Sequence, residues 1–110
     1  MNNKETILNK IIDIVVECCS TNINGVQTLS RADILGESKK ENHVMSRAIL
    51  ALQLKHEGYS VTTIAMLLGR EEQSVRKLIK KGYDYVATSR ACRIAAAEVV
   101  IKCKELYDDE

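Results

Sequence analysis

Apolar residues recur at three- and four-residue steps along most of the chain, the spacing that places side chains on one face of an α-helix. Residues 4 to 20 carry the first such pattern in Ile7, Ile11, Ile14, Val15 and Cys18, and the turn-tolerant Asn22, Asn24 and Gly25 end it. Ser30 stands in the N-cap position of a short helix over Arg31 to Leu35, which Gly36 stops. Glu37 to Asn42, reading ESKKEN, is expected to be a charged loop. A third helix is predicted from about His43 to His56, with Val44, Ala48, Leu52 and Lys55 along one line, Ile49, Ala51 and Leu54 nearby, and Gly58 closing it. Ser60 caps a fourth helix, Val61 to Leu68, and a fifth follows from about Glu71 to Lys81, with Gly82 ending it. Beyond it, Tyr85, Cys92, Ala96, Val99, Cys103 and Leu106 form an apolar stripe that predicts one long helix from about Asp84 to Tyr107. The opposite side of that helix carries Arg90, Arg93, Glu98, Lys102 and Glu105 and is expected to be solvated, and the acidic tail Asp108, Asp109 and Glu110 is expected to fray.

Together these elements imply an all-α fold, a single domain over residues 1–110 with five to six helices, a helix-turn-helix at about 60–82 and a long C-terminal helix. Composition narrows the picture in the same direction. The chain has 110 residues, is 45% apolar and contains no Pro, Phe or Trp, which suits one modest helical core better than a sandwich or barrel. Its longest apolar runs, such as Ile11 to Val16 interrupted by Asp13, fall far short of the roughly 20 residues a spanning helix needs. Met1 to Lys10 is polar and shows no signal-peptide pattern, so no membrane contact and a cytoplasmic location are expected.

Candidate chemistry is sparse. Cys18, Cys19, Cys92 and Cys103, with His43 and His56, match no zinc-site spacing, and buried, reduced thiols are expected in place of a metal site. No cofactor is expected: the GxxxxGK[ST] phosphate loop does not occur, and the five Gly are too scattered to build one. No spacing sets a nucleophile beside a base, so an enzyme is not expected.

Charge changes the picture only when it is followed along the chain. The formal net charge is +1, but residues 36–82 hold nine basic residues against five acidic ones. The basic set is Lys39, Lys40, Arg47, Lys55, Arg70, Arg76, Lys77, Lys80 and Lys81, whereas both ends of the chain are net acidic. A basic middle between acidic ends can present a positive face without making the whole surface adhesive.

That basic segment coincides with the two short helical patterns around Gly69. Ala65 is small where crossing helices must approach, Gly69 supplies permissive backbone for a tight turn, and Ile64, Leu68, Val75 and Leu78 are spaced to meet between the helices. At about 100° per residue, with Gln73 at zero, Lys77 falls near about 40°, Lys80 near about 340° and Arg76 near about 300°. Leu78, Val75 and Ile79 fall near about 140°, 200° and 240°, so the apolar and basic faces oppose each other. Gln73 is suited to paired hydrogen bonds with adenine and Arg76 with guanine, while Lys77 and Lys80 suit phosphates. Glu71 and Glu72 sit at the positive end of the helix dipole, and Glu72 lies one turn before Arg76, in reach of an i,i+4 pair.

From about Ile7 to Leu106 the chain resembles the C-terminal DNA-binding domain of the bacterial replication initiator DnaA, within the Trp repressor-like helical group. The resemblance rests on the order of elements: a leading helix, a short helix ending at Ile34 and Leu35, basic Lys39 and Lys40, a helix containing SRAILALQLKHEG, then YSVTTIAMLLGREEQSV. It implies that Lys39 and Lys40 contact a groove or the backbone of DNA, and that Arg70, Gln73, Ser74 and Lys77 belong to the recognition helix. Arg47, Arg76 and Lys80 join them as candidate DNA contacts on the basic segment. The family signature has Asp-His-Thr-Thr-Val where this chain has Glu71 to Val75, and a glycine pair is reduced to Gly69, so the initiator's usual DNA box is not part of the expectation. The initiator's ATPase part has no counterpart, which points to a stand-alone relative of the kind a plasmid or phage encodes.

The expected partner is double-stranded DNA, bound sequence-selectively in replication or transcription control, alongside a homodimer or a replication or transcription protein. A second reading is a helical interaction or oligomerisation module without DNA binding, because the stripe of the last helix could pack on a second subunit as well as on its own core.

Overall fold

A computed structural model describes residues 3–23 and 28–108, with side chains from residue 6. Its helices are α1 (Asn3–Asn22), α2 (Arg31–Leu35), α3 (Glu41–His56), α4 (Val61–Leu68), α5 (Glu72–Thr88) and α6 (Arg90–Asp108). The all-helical single domain is as expected. The turn expected at Asn24 and Gly25, and Asp109 and Glu110 of the tail, lie outside the described residues.

The centre of the fold is α3, which packs against every other helix. Ser46 through Ala51, with Gln53 and Leu54, are all buried, so this helix has almost no solvent side. Around it α1 packs chiefly on α6, and α5 on α3. From α1 come Ile11, Ile12, Val15, Cys18 and Cys19, and from α6 come Cys92, Ala95, Val99 and Cys103, closing one contiguous core. Polar contacts hold the same pair in register: Lys102 Nζ lies 2.6 Å from Glu17 Oε1, and Asn22 Nδ2 donates to Glu98 Oε2 at 3.0 Å. Glu98 and Lys102 are therefore tethers to α1, not part of a free solvated face.

Capping follows the chain's local signals. Ser30 Oγ accepts from Asp33 N while Asp33 Oδ2 accepts from Ser30 N, a complete capping box on α2. Ser60 Oγ accepts from Thr63 N at the start of α4. Gly58 (φ 100°) follows α3 and Gly69 (φ 64°) closes α4, both in backbone that L side chains rarely adopt.

The C-terminal third departs from the expected boundaries. α5 does not end at Gly82 but runs on to Thr88, and the break falls at Ser89, so Asp84 to Thr88 belong to α5 and not to the last helix. Gly82 has a different role: a Cβ there would lie 2.7 Å from Leu52 Cγ and 3.2 Å from the Ala48 carbonyl oxygen, so its hydrogen lets α5 approach α3. The stop is made by Ser89, whose extended backbone (φ −115°, ψ 119°) ends α5 while its Oγ accepts from Cys92 N and caps α6. Arg93 reinforces this corner by donating from Nε to the Val86 carbonyl and from Nη2 to that of Ala87.

All four cysteines are buried and free. Burial pushes the Cys18 thiol up to about 11 and those of Cys19 and Cys103 up to about 12. Because these folded values exceed the ordinary 9.0, the thiols' contribution to stability is full below about pH 9 and is lost as pH rises through the folded values. At pH 8 the folded protein should resist iodoacetamide at all four cysteines and react at all four once unfolded in urea, as mass spectrometry will count; rapid alkylation of the native protein would contradict their burial. Replacing Gly82 by Val should lower unfolding free energy by about 1–3 kcal/mol through overpacking against Leu52 and Ala48, measured by urea denaturation, whereas an unchanged midpoint would show that the helices do not need this approach.

Candidate nucleic-acid interface

α4 and α5 form the two arms of a helix-turn-helix. α4 ends in a left-handed Gly69, with Gly69 N donating to Met66 O and Arg70 N to Ala65 O, which satisfies carbonyls that the helix end would otherwise leave open. Ile64 and Ala65 before the turn and Val75, Leu78 and Ile79 after it are buried. Of the residues expected to meet there, Ile64, Val75 and Leu78 are buried and Leu68 is half-buried against the same core.

With one side of α5 fixed to the core, the other is turned outward. Gln73, Ser74, Arg76, Lys77, Lys80 and Lys81 are all exposed. Arg76 Nη2 lies 3.4 Å from Glu72 Oε1, the expected i,i+4 pair, so its charge is partly compensated along the helix. Among the described residues, Lys77, Lys80 and Lys81 have no ion-pair partner. Glu71 and Glu72 are exposed at the leading end of α5. Beside them lies an open groove of about 540 Å³ lined by Thr62, Ala65, Met66, Gly69, Arg70, Glu71 and Glu72.

Two arginines of the expected DNA-contact set are occupied elsewhere. Arg47 is 4% exposed and donates through Nε to Ile34 O at 2.7 Å, through Nη1 to Ser38 O at 3.1 Å and through Nη2 to Asp33 O at 3.2 Å. It belongs to the structure and not to the exposed basic face, because its planar fork is used up on two carbonyls that the short α2 cannot satisfy internally and on that of Ser38 beyond it. Burial holds its guanidinium below the ordinary value, and the charge of Arg70 adds to that. Arg70 is half-buried and donates to the carbonyl of Gly36. Neither set of contacts is visible in helical periodicity, since they reach backbone atoms nine to 34 residues away in the chain.

The Arg70 bond has a positional consequence. Arg70 stands two residues before α5, so its grip on Gly36 ties the start of the loop that carries Lys39 and Lys40 to the turn before α5. Both lysines are exposed. Lys40 N bonds Ser38 Oγ, and His43 Nδ1 lies 2.8 Å from the same hydroxyl, which orders the loop as it enters α3.

The described residues contain no group of three or more His, Cys, Asp or Glu arranged to hold a metal ion. No described helix is long and apolar enough to cross a membrane. No family model, curated protein or solved structure matches the chain.

Removing the Arg47 fork should cost stability, because it strands two carbonyls of α2, Asp33 and Ile34, and that of Ser38 in the loop that follows. Arg47→Met is expected to lower unfolding free energy by about 2–4 kcal/mol and Arg47→Lys to recover little of it, since an ammonium cannot span the three acceptors. Urea denaturation of both variants checks this, and a neutral Arg47→Met would contradict the clamp.

Proposed function

We propose that this chain binds double-stranded DNA sequence-selectively through the outward face of α5, in the control of replication or transcription. The observation that carries the reading is the division of α5: Val75, Leu78 and Ile79 are buried, and every basic side chain from Arg76 to Lys81 is exposed on the second helix of a helix-turn-helix. A helix in this position can enter the major groove, where base edges present distinct donor and acceptor patterns.

In this reading Gln73 and Arg76 address base edges, with Arg76 leaving Glu72 to do so, while Lys77 and Lys80 neutralise phosphates. Ser74 and Lys81 flank them, and Lys39 and Lys40 give a second contact beside the leading end of the helix. Arg70 contributes by holding that loop. The resemblance of the order of elements to the initiator DnaA's DNA-binding domain supports the same assignment, and the altered residues Glu71 to Ser74 favour a target sequence of the chain's own.

Phosphate neutralisation releases counterions, so the affinity should fall steeply with salt. The double variant Lys77→Ala/Lys80→Ala should weaken binding of all duplexes alike and make the salt slope shallower by about 2, with helicity by circular dichroism unchanged. Fluorescence anisotropy of a labelled duplex across a salt series reads both quantities. Wild-type affinity and slope in the variant would assign the binding, if any, to another face.

A further inference from the structure

The outward side of α6 is not the polar face that its charged residues suggest. Ile94 and Ile101 are 39% and 60% exposed, and Val100 on their flank is 39% exposed. Single exposed apolar residues need no explanation, so it is their arrangement that matters. Arg90, Ile94, Ala97, Ile101 and Glu105 follow one another at steps of three and four residues, and all five are exposed. At about 100° per residue they share an arc of about 80°, on the side of the helix away from the buried Ala95, Val99, Cys92 and Cys103.

The stripe has the same order from either end apart from charge: a charged residue, an isoleucine, a small residue, an isoleucine, and the opposite charge. An antiparallel copy therefore meets it with complementary groups, while a parallel copy would set Arg90 on Arg90 and Glu105 on Glu105. We propose that α6 pairs antiparallel with α6 of a second copy of this chain, about a two-fold axis near Ala97. Arg90 then meets the partner's Glu105, Ile94 meets the partner's Ile101, and the methyl of Ala97 lets the helices approach.

Most of the other charged residues of α6 are engaged within the molecule, and Lys104 is exposed at the edge of the stripe next to Glu105. Lys102 is taken by Glu17, Glu98 by Asn22 and Arg93 by the end of α5. Arg90 and Glu105 have no ion-pair partner among the described residues. Val100 lies on the flank of the stripe and also lines a groove of about 420 Å³ with Ile49, Leu52, Tyr83 and Val86, so pairing would carry the apolar contact to the edge of α3 and α5.

Size sets the strength. A helix of 19 residues is about 28 Å long, and a strip of that length about one helix diameter wide is well below the roughly 800 Å² per partner of a standard stable interface. The pair is a weak, concentration-dependent dimer, and it forms without DNA.

Sedimentation velocity of the full chain, without DNA and over rising concentration, should show the average mass move from one copy towards two. Ile101→Glu should remain monomeric throughout while keeping wild-type helicity, because the side chain it replaces is exposed. Arg90→Glu and Glu105→Arg should each weaken association about tenfold, and the double swap R90E/E105R should restore it, since the exchanged charges again face their opposites. A wild-type chain that stays monomeric at every concentration would overturn the proposal, as would association that persists in Ile101→Glu or a double swap that fails to recover. Because no DNA is present, either outcome is independent of the reading of α5.

Discussion

The close approach of α5 to α3 at Gly82 is the constraint on which the rest of the fold depends. α3 is buried on nearly every side and touches all other helices, so whatever fixes a helix against it fixes that helix in the molecule. At Gly82 no side chain separates α5 from Leu52 and the Ala48 carbonyl. One turn earlier, Leu78 and Ile79 enter the same core. Once that side of α5 is set, the helix period leaves no choice about the other: Gln73, Arg76, Lys77 and Lys80 must point to solvent.

A second constraint is polar and works at the other end of the motif. α2 has five residues, too few to pair its own carbonyls, and it packs on α3 with Ile34 buried. Arg47 supplies donors to the α2 carbonyls of Asp33 and Ile34 and to Ser38 in the loop, and Arg70 to Gly36 just past the helix. Burying a guanidinium is costly unless its donors are used, and Arg47 uses three of its nitrogens, which offsets the loss of water. The loop that these bonds hold carries Lys39 and Lys40. These bonds of the short helix thus also hold one end of the loop that carries two further exposed positive charges.

Helix existence was legible from periodicity and caps, because Ser30, Ser60, Gly58 and Gly69 act locally and the rules that govern them are local. The opposed faces of α5 followed from the angle per residue alone. That α5 runs past Gly82 has a physical cause: glycine both ends helices and admits a neighbouring backbone, and only the position of α3 decides which applies. Ser89 carries no stop signal of its own in the sequence, because its role depends on extended backbone and on Arg93 one turn later. Arg47 carried the same charge signal as the exposed lysines, and its distinction lies in carbonyls more than eight residues away in the chain. The exposed stripe of Ile94 and Ile101 was likewise hidden, since the apolar side of α6 facing the core gave the stronger pattern.

The division of α5 into a packed side and a free basic side is the feature from which a function follows, and selection of bound duplexes from a random DNA pool at low salt tests that function most directly. The account predicts enrichment of one short sequence, with recovery falling as salt is raised and lost when Lys77 and Lys80 are reversed in charge. A pool that remains random after repeated rounds at low salt would contradict it.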